Sequence, residues 1–254
     1  MAIPEADYAE AFMLAGKHLQ ACMDACAGCG SFRWLKARPS KPAFADLVFG
    51  LGARVYAVLL VAMTSQKKVE GAAASATFEI PQEQRALFAE ECARHRLEPV
   101  VFPLWTGIMQ PLTTGWNLFS LLDMSPVNPT AAPASEEPAP MSEWELCNFR
   151  VELVVQELKD NTLPIYSCQD IPGVYPNIWF RDETGQRACV AVLPSAGAGD
   201  TSLPAEVLEM LRKLPDGLNA YIARVGVANA DAPELPPSRA MGLYAHYRGM
   251  EKLV

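Results

Sequence analysis

Apolar positions along the chain fall into two matched sets. Near the start, Phe12, Ala15, Leu19, Cys22 and Cys26 recur at steps of three or four, the spacing that lines up side chains on one face of an α-helix. Trp144, Cys147, Val151, Val154 and Leu158 repeat those steps, and every corresponding pair lies 132 positions apart. Gly28 or Gly30 ends the first helix, glycine being a usual C-terminal stop, and Asn161 stands near the equivalent place in the second.

The pattern after each helix also repeats. A short strand is predicted at Phe32–Leu35 and at Ile165–Cys168, followed by a loop carrying Pro39 and Pro42, or Pro172 and Pro176. Strand patterns Ala45–Phe49 and Pro176–Phe180 then lead through hairpin signals (Gly50 and Gly52; Asp182 to Gly185) into Arg54–Leu59 and Arg187–Val192. A proline at a helix start (Pro81; Pro204) opens a second helix in each half, over roughly 82–95 and 205–214. Strands are predicted at 97–104 and 218–225, and a last one at 116–122 and 241–247. The expected architecture is α+β: two tandem copies of a helix, three strands, helix, two strands domain, covering 1–127 and 142–254 and packed with pseudo-two-fold symmetry. Residues 128–141 (NPTAAPASEEPAPM) have no apolar period and read as a linker. Runs without alternation, such as Val58-Leu59-Leu60-Val61, belong to strands sandwiched between two layers.

Composition narrows the class of partner. The 254 residues are half apolar and carry 21 Lys+Arg against 29 Asp+Glu, a net charge of −8. That is globular composition, and the acidic excess argues against a general nucleic-acid binder. The most apolar run, Val55–Met63, has nine residues, too few for a membrane helix, which needs about 20. No signal peptide is read at the N-terminus, and the seven cysteines suggest reduced thiols in a cytoplasm.

The cysteines also offer the most conspicuous candidate chemistry. Cys22, Cys26 and Cys29 are spaced C-x3-C-x2-C, with His18 four residues upstream. Three thiolates so spaced hold a four-iron cluster in radical S-adenosylmethionine enzymes, whose signature the pattern resembles. Zinc held by Cys3His is an alternative, and Cys26 with Cys29 keeps a redox pair open. The preferred reading is core or cap cysteines. Cys22 and Cys26 lie on the apolar stripe, and the matching positions in the second half are Val154 and Leu158. The repeated strand–helix units of a barrel are also missing.

The order helix, three strands, helix, strand resembles the core of the restriction-endonuclease-like superfamily over most of each half. The resemblance rests on that layout and on Ala45-Asp46-Leu47-Val48-Phe49 and Pro176-Asn177-Ile178-Trp179-Phe180, each followed by a hairpin. It implies a magnesium site built from an Asp at the second strand and an E-x-K pair on the third. Asp46 matches the first acid and Asn177 is its neutral counterpart. The third strands, Tyr56–Val61 and Cys189–Pro194, hold neither an acid nor a lysine. The resemblance therefore implies two catalytically degenerate copies, with Asp46 a strand-end acid that caps backbone amides. The layout is also similar to that of secretion-system chaperones, which bind partner segments along a sheet edge or helix face and lack catalytic residues.

Other motifs are bland. There is no G-x-S-x-G elbow, and the Gly197–Asp200 run lacks the lysine of a phosphate loop. His18, His95 and His246 are far apart in sequence, and Gln66-Lys67-Lys68 reads as a solvated tip. Trp105 and Trp116 flank a Gly/Thr/Pro loop without an equally aromatic counterpart, which makes them the candidate partner-binding residues. Three functions follow. The leading one is a non-catalytic cytoplasmic protein without cofactor that binds another protein or itself. The others are an enzyme with a spatially assembled, nuclease-like site, and a metal or iron–sulfur protein using Cys22, Cys26 and Cys29.

Overall fold

A computed structural model describes residues 3–26, 32–35, 45–63, 80–105, 110–112, 115–131, 138–195, 202–215, 217–239 and 241–253. The chain divides into two compact units, Met1–Ala139 and Pro140–Val254. The class is α+β: among the described residues there are four α-helices and two mixed sheets, of seven and five strands.

In the first unit, α1 (Glu5–Asp24) precedes an antiparallel meander of β1 (Phe32–Leu35), β2 (Leu47–Leu51) and β3 (Arg54–Met63). A crossover through α2 (Gln82–His95) brings β4 (Glu98–Trp105) parallel to β3, since parallel strands cannot be joined by a hairpin. Three short strands, β5 (Gln110–Pro111), β6 (Leu118–Ser120) and β7 (Pro126–Val127), finish a sheet ordered β1-β2-β3-β4-β6-β7, with β5 on β4. The second unit has α3 (Glu143–Asp160), β8 (Ile165–Cys168), β9 (Ile178–Arg181), β10 (Arg187–Pro194), α4 (Ala205–Arg212), β11 (Asn219–Asn229) and β12 (Leu243–Lys252), the first unit's order as far as the strand after the second helix; one long last strand then stands where the first unit has three short ones, not the single one expected. Its sheet runs β12-β11-β10-β9-β8, and β10 and β11 are again the parallel pair.

The hairpins follow their turn residues. Gly52 (φ +60°) opens the two-residue β2–β3 turn, and Gly185 (φ +78°) closes the β9–β10 turn. Left-handed backbone at these places suits the strand twist and costs glycine nothing.

Both faces of each central strand are buried. Leu47, Phe49, Tyr56, Val58, Leu60, Val100 and Phe102 meet Ala11, Ala15 and Leu19 of α1. The opposite parity, Val55, Ala57, Leu59 and Val61, is buried too, and α2 packs on β4. In the second unit Ala188, Val190 and Val192 lie under α3, whereas Cys189, Ala191 and Leu193 lie under α4. The stripe of α3 is the expected one. That of α1 is rotated: Ala11, Ala15 and Leu19 are buried, Phe12 is exposed, and Cys26 lies beyond the helix end. Alanines at an i, i+4 spacing let the helix lie close to the sheet, where phenylalanine is too large.

The ends of the 128–141 segment are tied down. Pro129–Ala131 form a 3-10 turn with Pro129 buried. Pro140 bridges Ser238, and Met141 N–H donates to the Pro237 carbonyl. Residues 132–137 lie outside the described residues.

A buried polar network closes the second unit. Ser142 caps α3 in a capping box with Glu145, satisfying two helix-end donors. Glu145 also accepts from Arg239 Nη2 (2.6 Å) and Nε (3.0 Å), with side chains 0% and 3% exposed. Asn229 donates to the carbonyls of Leu235 and Pro236 and accepts from Ser238 N–H, so the 229–239 loop is folded around one amide. Arg239→Met leaves Glu145 buried without its counter-charge and is expected to cost about 3–5 kcal/mol in urea unfolding. Adding Glu145→Gln removes the stranded charge while keeping a capping partner, so the double variant recovers part of that loss.

Candidate functional site

Asp46 stands just before β2. Its backbone N–H donates to the Val58 carbonyl (2.9 Å). Its carboxylate accepts the Leu60 N–H at 2.6 Å and the Tyr8 hydroxyl at 2.7 Å. Asn177 does the same before β9: its N–H donates to the Val190 carbonyl (3.0 Å), and its Oδ1 accepts the Val192 N–H at 2.8 Å. Its amide then donates to the Gln169 and Val174 carbonyls. Partner positions 58/190 and 60/192 are again 132 apart. An acid in one unit and an amide in the other thus satisfy the same strand amide. Burial raises the Asp46 carboxyl above its ordinary 3.8, offset in part by the bonds from Leu60 and Tyr8. Burial also raises the Tyr8 hydroxyl, with Asp46 adding to the effect.

Asp46 does not fit the magnesium site that the nuclease resemblance implies. Both its oxygens accept protein hydrogens, and no residue of β3 or β10 supplies a second carboxylate. Among the described residues, no group of three or more His, Cys, Asp or Glu is placed to hold a metal.

Cys26 is disulfide-bonded, and Cys29 lies outside the described residues. Cys22 Sγ lies 3.4 Å from the Gly115 carbonyl and 3.7 Å from His18 Nε2. His18 Nε2 is itself 2.6 Å from the same carbonyl, so this pair ties α1 to the end of the aromatic loop. Cys92, Cys147 and Cys189 are buried. Burial first, with nearby carboxylates for the first two, pushes Cys92 and Cys147 up to about 12 and Cys189 to about 11, so all three stay thiols near neutral pH. His95 lies beside Glu91, and His246 sits on β12 opposite Gly226. Pro39, Pro42, Gly28, Gly30, Gln66–Lys68 and Gly197–Asp200 lie outside the described residues.

The two loop tryptophans differ. Trp116 stacks on Phe49, with ring centroids 6.2 Å apart, and packs on the α1 side of the first core. Trp105 ends β4 half-buried, paired with Gln110 and Met63.

A third feature escaped the sequence reading. In the second unit the α4 side of the sheet is open over β8 and β9, where a groove of about 560 Å³ forms. Trp179 and Leu218 give it apolar walls, and Tyr166, Arg181 and Arg187 line it as well. Arg181 and Arg187 are directly opposed across β9 and β10, and both are exposed. Arg181 Nε donates to the Tyr166 hydroxyl at 2.7 Å. Neither arginine forms an ion pair among the described residues. The nearby Asp182 is occupied in its own turn. Burial raises its carboxyl, but hydrogen bonds from Thr184, Asn219 and the Gln186 amide outweigh that and hold it at about 2. The signal in the sequence is two arginines flanking a short hairpin turn, which become neighbours once the register is known.

Asp46→Asn is expected to fold and to keep the Leu60 bond, whereas Asp46→Ala leaves that amide unpaired and costs about 1–3 kcal/mol in urea unfolding. A carboxyl raised by folding contributes stability that is present below its ordinary 3.8 and is lost as pH rises through the folded value. Asp46→Asn should therefore flatten that decline in melting temperature from pH 4 upward. Trp116→Ala removes a core stacking partner and is expected to cost about 2 kcal/mol, while Trp105→Ala should change melting less, which makes it the cleaner probe of partner binding.

Residues 144–253, nearly all of the second unit, match the family model of a domain of unknown function (DUF8840). Neither a curated protein nor a solved structure matches the chain.

Proposed function

We propose that this chain is a non-catalytic binding protein built from two copies of one ancestral domain, with another protein or a second copy of itself as partner. The observation that carries the reading is the pair Asp46 and Asn177. At the position where a nuclease-like core would put its first metal-binding acid, both units use the side chain to hold an amide of the third strand. A carboxylate used in this way has part of its acceptor capacity taken by the protein, and neither third strand offers a second carboxylate to share an ion. The shared element order and the 132-residue offsets support descent from a degenerate restriction-endonuclease-like core. No helix of the described residues is long and apolar enough to cross a membrane. Five of the six described cysteines are free, which supports a reducing, cytoplasmic location, while the disulfide at Cys26 counts against it.

The test compares the full chain with Asp46→Asn on labelled single- and double-stranded nucleic acid with magnesium or manganese. The expected result is no cleavage by the full chain above that of the variant. Metal-dependent cleavage that disappears in Asp46→Asn would overturn the reading.

A further inference from the structure

Resting on the protein-binding reading above, we propose that the groove over β8 and β9 is the docking site for an acidic protein segment, which sets a carboxylate on Arg181 and Arg187 and an apolar side chain against Trp179. Like charges directly opposed on neighbouring strands repel and lower stability. In a chain of net charge −8, with more acids than bases, these two arginines nevertheless face each other without an ion-pair partner among the described residues. Trp179 and Arg181 alternate with Ile178 and Phe180, which go under α3, so tryptophan and guanidinium share one face. The Tyr166 hydroxyl holds Arg181 Nε at 2.7 Å, leaving the terminal nitrogens of that guanidinium for a ligand. A planar guanidinium held at one edge suits two-point contact with a carboxylate.

The rest of the groove decides between anions. Its apolar walls are Trp179, Pro215 and Leu218, and about 560 Å³ admits an aliphatic or aromatic side chain beside the charged group. A nucleic acid would bring a run of phosphates toward a protein of acidic net charge with only two arginines to receive it, which is unfavourable. A protein segment with isolated carboxylates among apolar residues meets both halves of the site. β8 is the outermost strand on this side of the sheet, so an extended segment can lie along it with alternate side chains over Tyr166 and Arg181.

The test uses fluorescence anisotropy of the full chain with a short labelled peptide of alternating Glu and Leu. The same peptide with Gln for Glu and a labelled oligothymidine serve as controls. Expected are saturable binding of the Glu peptide, weakening as salt is raised, and a loss of at least about tenfold in affinity in Arg181→Gln/Arg187→Gln. Melting of that variant at low salt is expected to be unchanged or raised, because the repulsion is gone. A fall in melting would assign the arginines to the fold and overturn the proposal. Equal binding of the Gln peptide, tighter binding of the oligonucleotide, or unchanged affinity in the variant would also overturn it. Peptide binding that survives in the variant moves the site elsewhere without touching the protein-binding reading, which falls only to the cleavage result above.

Discussion

Burial of the middle strand on both faces is the constraint on which each unit is built. Nine of the ten residues of β3 and six of the eight of β10 are buried. A strand in that position has no route to water for its peptide groups, so they must be paired within the sheet. Neighbours on both sides are therefore required: an antiparallel one from the hairpin, and a parallel one that only a helical crossover can deliver. Where the hairpin partner runs out, the ladder would end on an unpaired amide. Asp46 and Asn177 take over at that point with a side-chain oxygen. The same burial keeps charged side chains off the strand interior, so the absence of an E-x-K pair and the use of Asp46 as a cap have one cause.

The two units share a frame and differ in how they spend polar groups. Among the described residues, the buried polar one of the first unit is Asn117, while Glu145, Asn148, Asp170, Asn177, Asp182, Asn229, Ser238 and Arg239 lie in the second. Asn148 donates to Asp170 at 2.6 Å, and the others close helix ends, loops and turns. Satisfied polar groups in a core favour one arrangement over its near alternatives. Residues 144–253, the stretch matching the family model, hold all eight.

Much of the frame was legible in the sequence because it is local. The apolar steps of α3, the glycine-bearing hairpins and the proline helix starts each act over a few residues, and each describes its element well. The rotated stripe of α1 was missed because periodicity weighs Phe12 as a better core residue than Ala11. Size decided the matter, since a close helix–sheet approach favours the smaller side chain. Contacts such as Glu145 with Arg239, 94 positions apart, have no periodic signature. The same holds for the arginine pair: Arg181 and Arg187 read as two surface charges until the β9–β10 register sets them side by side. His18 was read as a candidate ligand, but a turn of helix places it on the Gly115 carbonyl, 97 positions away.

The acid in one unit and the amide in the other have a consequence for how the halves bear acidification. Protonation relieves the corner held by Asp46, because the neutral form suits its buried surroundings, whereas Asn177 has no charge to lose. The second unit instead relies on an ionised Asp182, held at about 2 by its turn partners, and forfeits that support as protons fill it. Falling pH thus loads the two units in opposite senses, and one chain carries an acid-hardened corner in its first unit and an acid-softened turn in its second.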